Sequence, residues 1–362
     1  MKKVLVIITT GFVTYGGLTT VFMNYYRSMD RDGLKIDVAS IGQADTVLVE
    51  EIERNGGRYF DLPSKQKNII AYIFKLWRVC KNYDVVHVHG NSPLMIVELT
   101  IAKLRGVQQR IAHSHNTSGM HPILNIMFKG MFNKSYTIGL ACSQKAGEWL
   151  YTKEFHVLNN AIYTEKYAFS EENRLDTRNL YKINNSFVVG NVSKFVEAKN
   201  HEFIVNLFSK FHEKHKDSVL LLVGDGPNRG KIETLIHQRN IEDCVIITGL
   251  KEETNKFYSA IDLFVLPSFH EGLCLALLEA QASGLPCLVS TNVTDENSVC
   301  DNVEYLELNE ENWLKQIEKW YSTRNSLNRL KMSEVACKNL SLNGFDIKTV
   351  ANQLRGYYLE EQ

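Results

Sequence analysis

Short apolar runs recur along the chain, each followed by a stretch with helical spacing. In the first half they cover residues 4–10, 35–40, 85–89, 110–113 and 137–142; in the second, 187–192, 219–223, 244–248, 261–266, 287–290 and 305–308. Several of the runs, among them 4–10 and 261–266, are continuous and not alternating, which is the pattern of strands buried on both faces of a parallel sheet. Helical patterns fill the gaps, so the chain reads as repeated βαβ units and the fold class as α/β with doubly wound sheets. A polar stretch from Asn159 to Asn185, including SEENRLDTRN, interrupts the alternation. It divides the chain into an amino-terminal domain at 1–165, a linker at 166–186 and a second β/α domain at 187–342. The helical segment 343–362 is expected to cross back to the first domain.

Composition changes this picture little. The chain has 362 residues, more than the ~250–300 that one core usually organises, in agreement with two domains. Its 41 basic and 41 acidic residues cancel, which removes any global electrostatic case for nucleic acid. The seven cysteines are scattered without a CxxC pair, so reduced core thiols are expected in place of a disulfide frame or a zinc site. No apolar run approaches ~18 residues and Met1-Lys2-Lys3 leads straight into the first strand, so a cytoplasmic protein is expected.

Candidate chemistry collects where the strands end. The run at 261–266 is followed by PSFHEG and a helix, and ligands of doubly wound sheets bind beyond the carboxyl ends of strands. Glu271 lies in that loop and Glu279 on the helix, on the order of 10 Å away at ~1.5 Å per helical residue. That spacing suits the two ends of a long polyhydroxyl ligand and not one metal ion. Lys194 and Lys199 flank the loop after 187–192, where two ammonium groups beside a helix start can neutralise a diphosphate; solvated lysines are the alternative. GDGPNRG, with Gly226, and Gly249-Leu250 close two further strands with backbone that a ligand can approach. Gly16-Gly17, between the first strand and helix, reads either as an anion site or as a plain tight turn. It is not the GxGxxG of nicotinamide enzymes. Asp30-Arg31-Asp32 imitates a metal-binding DxD but leads to Gly33, the signature of a solvated turn.

His87 and His89 alternate at one strand end, and His113 and His115 at the next. Period two puts each pair on one side of its strand, so four imidazoles are expected to face a cleft at the sheet's carboxyl edge. No acidic or cysteine ligand accompanies them, so no metal is assigned. A substrate-orienting role for His115, with Asn116 and Thr117 in the following loop, fits better. Residues 65–81 combine Ile69, Ile73, Leu76, Trp77 and Cys80 with Lys65, Lys67, Lys75, Arg78 and Lys81, and 121–134 adds Met, Phe and Lys. Two readings stand: a basic amphipathic surface on an anionic membrane, or sheet-covering helices with solvated lysines.

Together these motifs resemble the retaining, nucleotide-sugar-dependent glycosyltransferases of family four, whose GT-B fold has two facing Rossmann-like domains with a cleft between them. The resemblance rests on Gly16-Gly17, HSHN, Asn159-Asn160-Ala161-Ile162, SKFVEAKN, GDGP, TGL and, most specifically, Glu271 to Glu279 within LPSFHEGLCLALLEAQASGLP. Chains with a similar opening strand and an SHNT loop look like bacterial enzymes of capsule and exopolysaccharide assembly. The resemblance implies that Glu279 holds the ribose hydroxyls and Glu271 those of the donor sugar, while backbone at Gly272, Leu273 and Cys274 approaches sugar and diphosphate. It implies Lys194 and Lys199 at the leaving diphosphate, Gly249 and Leu250 at the base, Gly226 among the donor-binding positions, and Gly16 and Gly17 facing phosphate and acceptor. His115 matches the histidine near the reacting sugar, with His113 second and Asn116 toward the acceptor. No cofactor is implied. The implied partners are a nucleotide sugar, UDP-linked by preference, and a glycan or polyprenyl-linked saccharide, with peripheral contact at the inner membrane surface.

Three positions depart from the family pattern. Lys194 stands where arginine is usual, losing the bidentate fork to phosphate but keeping the charge; Cys274 and Ala161 stand where glycine is usual. Two alternatives remain, a catalytically silent partner subunit and a nucleotide-sugar epimerase. Intact Glu271, Glu279, Lys194 and Lys199 count against the first, and the lack of acid/base carboxylates in the matched loops counts against the second.

Overall fold

Among the described residues, thirteen strands form two parallel sheets. The first contains β1 (Lys2–Ile8), β2 (Leu34–Ile41), β3 (Tyr59–Leu62), β4 (Val85–Gly90), β5 (Gln109–Ser114), β6 (Ile138–Ala141) and β7 (His156–Val157), in the order β3-β2-β1-β4-β5-β6-β7. The second contains β8 (Phe187–Val192), β9 (Ser218–Val223), β10 (Val245–Ile247), β11 (Leu263–Leu266), β12 (Cys287–Ser290) and β13 (Val303–Leu306), in the order β10-β9-β8-β11-β12-β13. The computed structural model describes residues 1–116 and 122–360; Thr117 and His121 lie outside the described residues. Each sheet belongs to its own unit, one made of Met1–Ala161 with Ile347–Gln362 and the other of Ile162–Asp346. Within each unit the strand order reverses once, between β1 and β4 and between β8 and β11. Doubly wound sheets open a ligand crevice at that reversal, beyond the carboxyl ends of the strands.

The continuous apolar runs are explained by burial on both faces. In the second unit Val189, Leu220, Leu222, Leu263 and Val265 pack with Phe208, Ile232 and Trp313 on one face. Their alternates Val188, Leu221, Val223, Phe264 and Leu266 pack with Tyr258, Leu277 and Ala280 on the other. Helices supplying those residues, among them His201–Lys214, Arg229–Gln238, Thr254–Ala260 and Leu275–Ala282, therefore cover the sheet from both sides. Among the described residues no helix is long and apolar enough to cross a membrane. All seven cysteines are free thiols, five of them buried.

The structure differs from the sequence expectation in three places. Two strands escaped notice, β3 and β7; both are edge strands, β7 only two residues long and exposed, so neither carries a buried apolar run. Residues 166–186, expected to form a linker, are largely helical, with helices Thr164–Tyr167 and Glu171–Tyr181 inside the second unit. Polarity misled there because Arg174 and Arg178 are anchored: both bond the carboxylate of Asp262, at 2.6 and 2.5 Å. Finally, the helix Ile69–Val79 buries only Tyr72 and Leu76, followed by Cys80, and leaves Ile69, Ile70, Ile73, Phe74 and Trp77 exposed. Lys65, counted from sequence with its solvated lysines, is instead paired with the buried Glu98, which also accepts from Tyr72.

The last helix, Ile347–Leu359, buries Ile347, Val350, Ala351, Leu354 and Tyr358, a stripe at helical spacing. It packs on the helix Gly17–Ser28 and on β1, within the first unit.

Candidate functional site

At the β8/β11 reversal, three loops are tied together through backbone groups. The amide of Phe269 donates to Ala198 O (2.9 Å) and the side chain of Asn200 to Pro267 O (3.2 Å), joining the loop after β8 to the loop after β11. Phe195 N donates to Asp225 O (2.9 Å) and Asn228 N to Phe195 O (3.0 Å), joining the loop after β8 to that after β9. Gly226 makes this second junction possible, since a Cβ there would sit 2.5 Å from Phe195 O. Gly249 has φ +71, a left-handed conformation that favours glycine, and its carbonyl accepts from Gly224 N at 3.1 Å.

These ties bring Lys199 and Glu271 into an ion pair, both largely shielded from solvent. Burial works against the charge of Lys199, but the Cys274 thiol and the Glu271 carboxylate outweigh it and hold the ammonium above its ordinary range. Burial also pushes Cys274 up to about 11, so that thiol is neutral at pH 7 and Glu271 is the partner that stabilises the cation. Cys274, the residue before the helix Leu275–Ala282, lies beside this pair. The site thus combines a fixed cation and a carboxylate at a helix start, a set able to meet a phosphate and a hydroxyl at once.

Glu279 sits on that same helix. Its Oε2 accepts from Tyr258 OH at 2.8 Å, and Tyr167, whose hydroxyl lies 3.4 Å from Thr254 Oγ1, is close enough to act on its charge. Burial raises its carboxyl to about 7 against the lowering pull of Tyr258, Tyr167 and Lys166. Neither tyrosine was singled out from sequence; Tyr167 falls in the stretch taken for a linker, so no motif pointed to it. Lys194 is exposed, as is Leu250, and the structure does not bring Lys194 onto the Lys199–Glu271 pair. Leu273 and Cys274 are buried.

In the first unit the reversal between β1 and β4 lies beside the histidines. His87 and His89 on β4, His113 on β5 and His115 just after it are all buried, and do not face an open cleft as the sequence suggested. They are covered by Phe22 and Tyr25 of the first helix and Tyr358 of the last, with ring centroids 5.7 to 6.3 Å from them. Burial pushes all four imidazoles down, His87 to about 3 and His115 to about 4, so they are neutral at pH 7. His115 Nδ1 donates to Asn160 Oδ1 (3.1 Å), which leaves its Nε2 to accept from His89 Nδ1 at 2.8 Å. Both ring nitrogens of His115 are thus engaged within the unit. His87, His89 and His113 offer nitrogens within 4.8 Å of one another, though a metal there would have to replace the 3.2 Å hydrogen bond between His87 and His113. Asn116 follows as a half-buried residue whose carbonyl accepts from Ser114. Gly16 donates its amide to Val13 O at 2.9 Å, and a Cβ at Gly17 would meet nothing within 4 Å, so the protein's own packing does not require glycine at 17.

Tyr358 holds the far end of this network, its hydroxyl 2.7 Å from His87 Nδ1. Tyr358→Phe would leave that nitrogen without a partner in the interior. The expected result is a loss of about 1–3 kcal/mol of stability, read as a lower melting temperature by circular dichroism; an unchanged melting curve would refute it.

Comparison with known proteins agrees with both halves. The family described as "Glycosyltransferase Family 4" matches residues 15–166, and "Glycosyl transferases group 1" matches residues 173–334. The chain is 32% identical over 298 residues to the putative glycosyltransferase EpsF of Bacillus subtilis (strain 168), covering 78% of this chain and 77% of that protein. It is 27% identical over 332 residues, 84% of each chain, to the UDP-Gal:alpha-D-GlcNAc-diphosphoundecaprenol alpha-1,3-galactosyltransferase of Escherichia coli. Among solved structures, Anabaena Alr3699/HepE in complex with UDP superposes with a TM-score of 0.82 at 16% identity, covering 100% of both chains, a likeness of fold. With its two doubly wound sheets and a relative matched over most of its length, the chain belongs to the family-four glycosyltransferases of GT-B fold.

Proposed function

We propose that this glycosyltransferase moves a sugar from a uridine diphosphate donor to a lipid-linked or free saccharide, with retention at the anomeric carbon, in surface polysaccharide assembly. The observation that carries the reading is the largely shielded Lys199–Glu271 pair at the β8/β11 reversal, at the start of the helix that carries Glu279. Transfer breaks the bond between the anomeric carbon and the phosphate oxygen, so negative charge grows on the diphosphate and positive charge on the sugar. Lys199, Lys194 and the amides at the start of Leu275–Ala282 would stabilise the first of these charges. Glu271 would hold donor-sugar hydroxyls, and ionised Glu279 both ribose hydroxyls through its two acceptor oxygens. Gly226, Gly249, Leu250, Gly272 and Leu273 would border the nucleotide. The acceptor hydroxyl forms the new bond on the face the phosphate leaves, and its proton passes to the departing phosphate oxygen. The neutral network of His113 and His115 would hold the acceptor side in register, with Gly16, Gly17 and Asn116 beside it. This reading assigns no metal to the reaction.

The relatives support the direction of the reading. One is named for galactosyl transfer from UDP-Gal to a diphosphoundecaprenol-linked GlcNAc, and another, Protein CapJ of Staphylococcus aureus, is 33% identical over 157 residues. The test is release of nucleoside diphosphate by the purified chain across a panel of UDP- and GDP-sugars, with and without a polyprenyl-linked saccharide. Sugar conversion without acceptor would point to an epimerase, and no turnover of any donor would sink the proposal.

A lipid-linked acceptor also gives a purpose to the exposed apolar residues. By the right-handed crossover rule, helices Ile69–Val79, Ile96–Leu104 and Pro122–Phe132 share one face of the first sheet, and the outer two both pack on the middle one. Ile70 is 78%, Phe74 56%, Ile126 79% and Met127 63% exposed, and Lys67, Arg78, Lys81 and Lys134 stand exposed around them. We expect the chain to co-sediment with anionic vesicles, and the Phe74→Glu/Ile126→Glu variant to bind at least tenfold more weakly. Equal sedimentation of both proteins would remove the membrane from the account.

A further inference from the structure

A hydrogen-bond chain beneath the β8/β11 reversal fixes the protonation of a histidine that the proposed reaction does not use. Asn191, fully buried on β8, must donate through its amide nitrogen to Val265 O (2.8 Å), so its Oδ1 is the acceptor that takes the Ser193 hydroxyl proton at 2.5 Å. With its proton spent, Ser193 Oγ can only accept from His201 Nε2, 3.1 Å away. The His201 proton therefore lies on Nε2, and Nδ1 is a bare lone pair. His201 is only 3% exposed, and Nδ1 is a buried nitrogen without a hydrogen-bond partner. Burial, with the charge of Lys199, lowers this imidazole to about 4, which keeps the lone pair available at pH 7.

His201 lines a cavity of about 650 Å³ between the start of the helix His201–Lys214 and the length of the helix Arg229–Gln238. The remaining lining is of two kinds. Asn228, Thr234 and Gln238 bring amides and a hydroxyl, while Phe269 presents an aromatic ring that is 47% exposed. Glu197 and Glu202 outnumber Lys231, so the cavity does not favour an anion. An acceptor lone pair needs a ligand that donates, which a phosphomonoester dianion, with no P–O–H left, cannot do. Amides beside an exposed aromatic face suit a ring that is polar at its edge and apolar on its C–H face.

The geometry points to a carbohydrate subsite in this cavity, in which a neutral sugar unit donates a hydroxyl to His201 Nδ1 and lies against Phe269. The site stands on observations separate from the Lys199–Glu271 pair and does not rest on the donor assignment. Because Phe269 and Glu271 share one loop, a saccharide held here would keep a growing chain attached to the second unit between turnovers.

The test is saturation-transfer-difference NMR on the full chain with saturating UDP present, using maltotriose, chitobiose and lactose as probes. At least one saccharide should show transfer, reduced at least fivefold in Phe269→Ala and lost in Thr234→Arg/Gln238→Arg, whose positions are exposed on the helix surface. Donor turnover should be unchanged in the double variant, which separates failure here from failure of the proposed reaction. Absence of transfer from all three probes, or transfer that survives the double variant, would overturn the subsite. Inorganic phosphate forms the second arm: ³¹P broadening that Lys231→Gln abolishes would show an anion site and equally reject the carbohydrate.

Discussion

Lys199→Ala is expected to lower turnover at least tenfold, about 1.4 kcal/mol of transition-state stabilisation, with a smaller effect on donor KM. The reason is that charge on the leaving diphosphate is greater in the transition state than in the bound donor, so a fixed cation acts mainly on the chemical step. The substitution has a second consequence, since it strands the Glu271 carboxylate in a shielded position that the ion pair now neutralises. Lys199→Ala/Glu271→Gln separates the two. If the double variant turns over as fast as Glu271→Gln alone, Lys199 serves only to neutralise Glu271; if it stays well below that single variant, the cation acts on the phosphate as proposed. Lys199→Arg, keeping the charge, should retain more activity than either.

For Glu279 the expected effect is on donor affinity and on its pH profile. Ribose hydroxyls are donors and need an ionised acceptor, yet burial holds this carboxyl near 7. Donor affinity should therefore rise between pH 6 and pH 8, and Glu279→Gln should weaken donor binding at least tenfold at pH 8 while flattening that rise. Stability moves in the opposite sense. A carboxyl raised from 4.5 to about 7 in the folded protein stabilises fully below pH 4.5, and that contribution is lost as pH climbs through 7. Glu279→Gln should accordingly melt higher than the native protein at pH 8 and close to it at pH 4.5. A native profile of donor affinity in the variant, measured by calorimetry, would detach Glu279 from the nucleotide.

Much of the fold was legible because parallel strands buried on both faces leave continuous apolar runs, as β1, β9 and β11 do. Edge strands β3 and β7 lack that signal for the same physical reason. The loop residues Glu271, Lys199 and Gly226 were readable because their positions follow strand ends, which sequence pattern locates. What was not readable were groups that act through distant partners. Tyr258 and Tyr167 touch Glu279 from other elements, and Asn191, Ser193 and His201 form their chain only once β8 lies beside β11. The histidines were placed correctly along their strands, but alternation tells which side a residue faces and not what covers it. Two helices from opposite ends of the chain, carrying Phe22, Tyr25 and Tyr358, provide that cover.

That arrangement has a temporal consequence during synthesis. The second unit, Ile162–Asp346, is inserted between the body of the first and its last helix. All the residues of the second unit are joined to the chain before Val350, Leu354 and Tyr358 exist, a delay of roughly ten seconds or more at ~5–20 residues per second. Throughout that interval the helix Gly17–Ser28 lacks its packing partner and His87 its hydroxyl. The half of the protein made first is thus completed last. A premature stop within the final helix, remote in sequence from every histidine, would leave the finished second unit joined to an unfinished first.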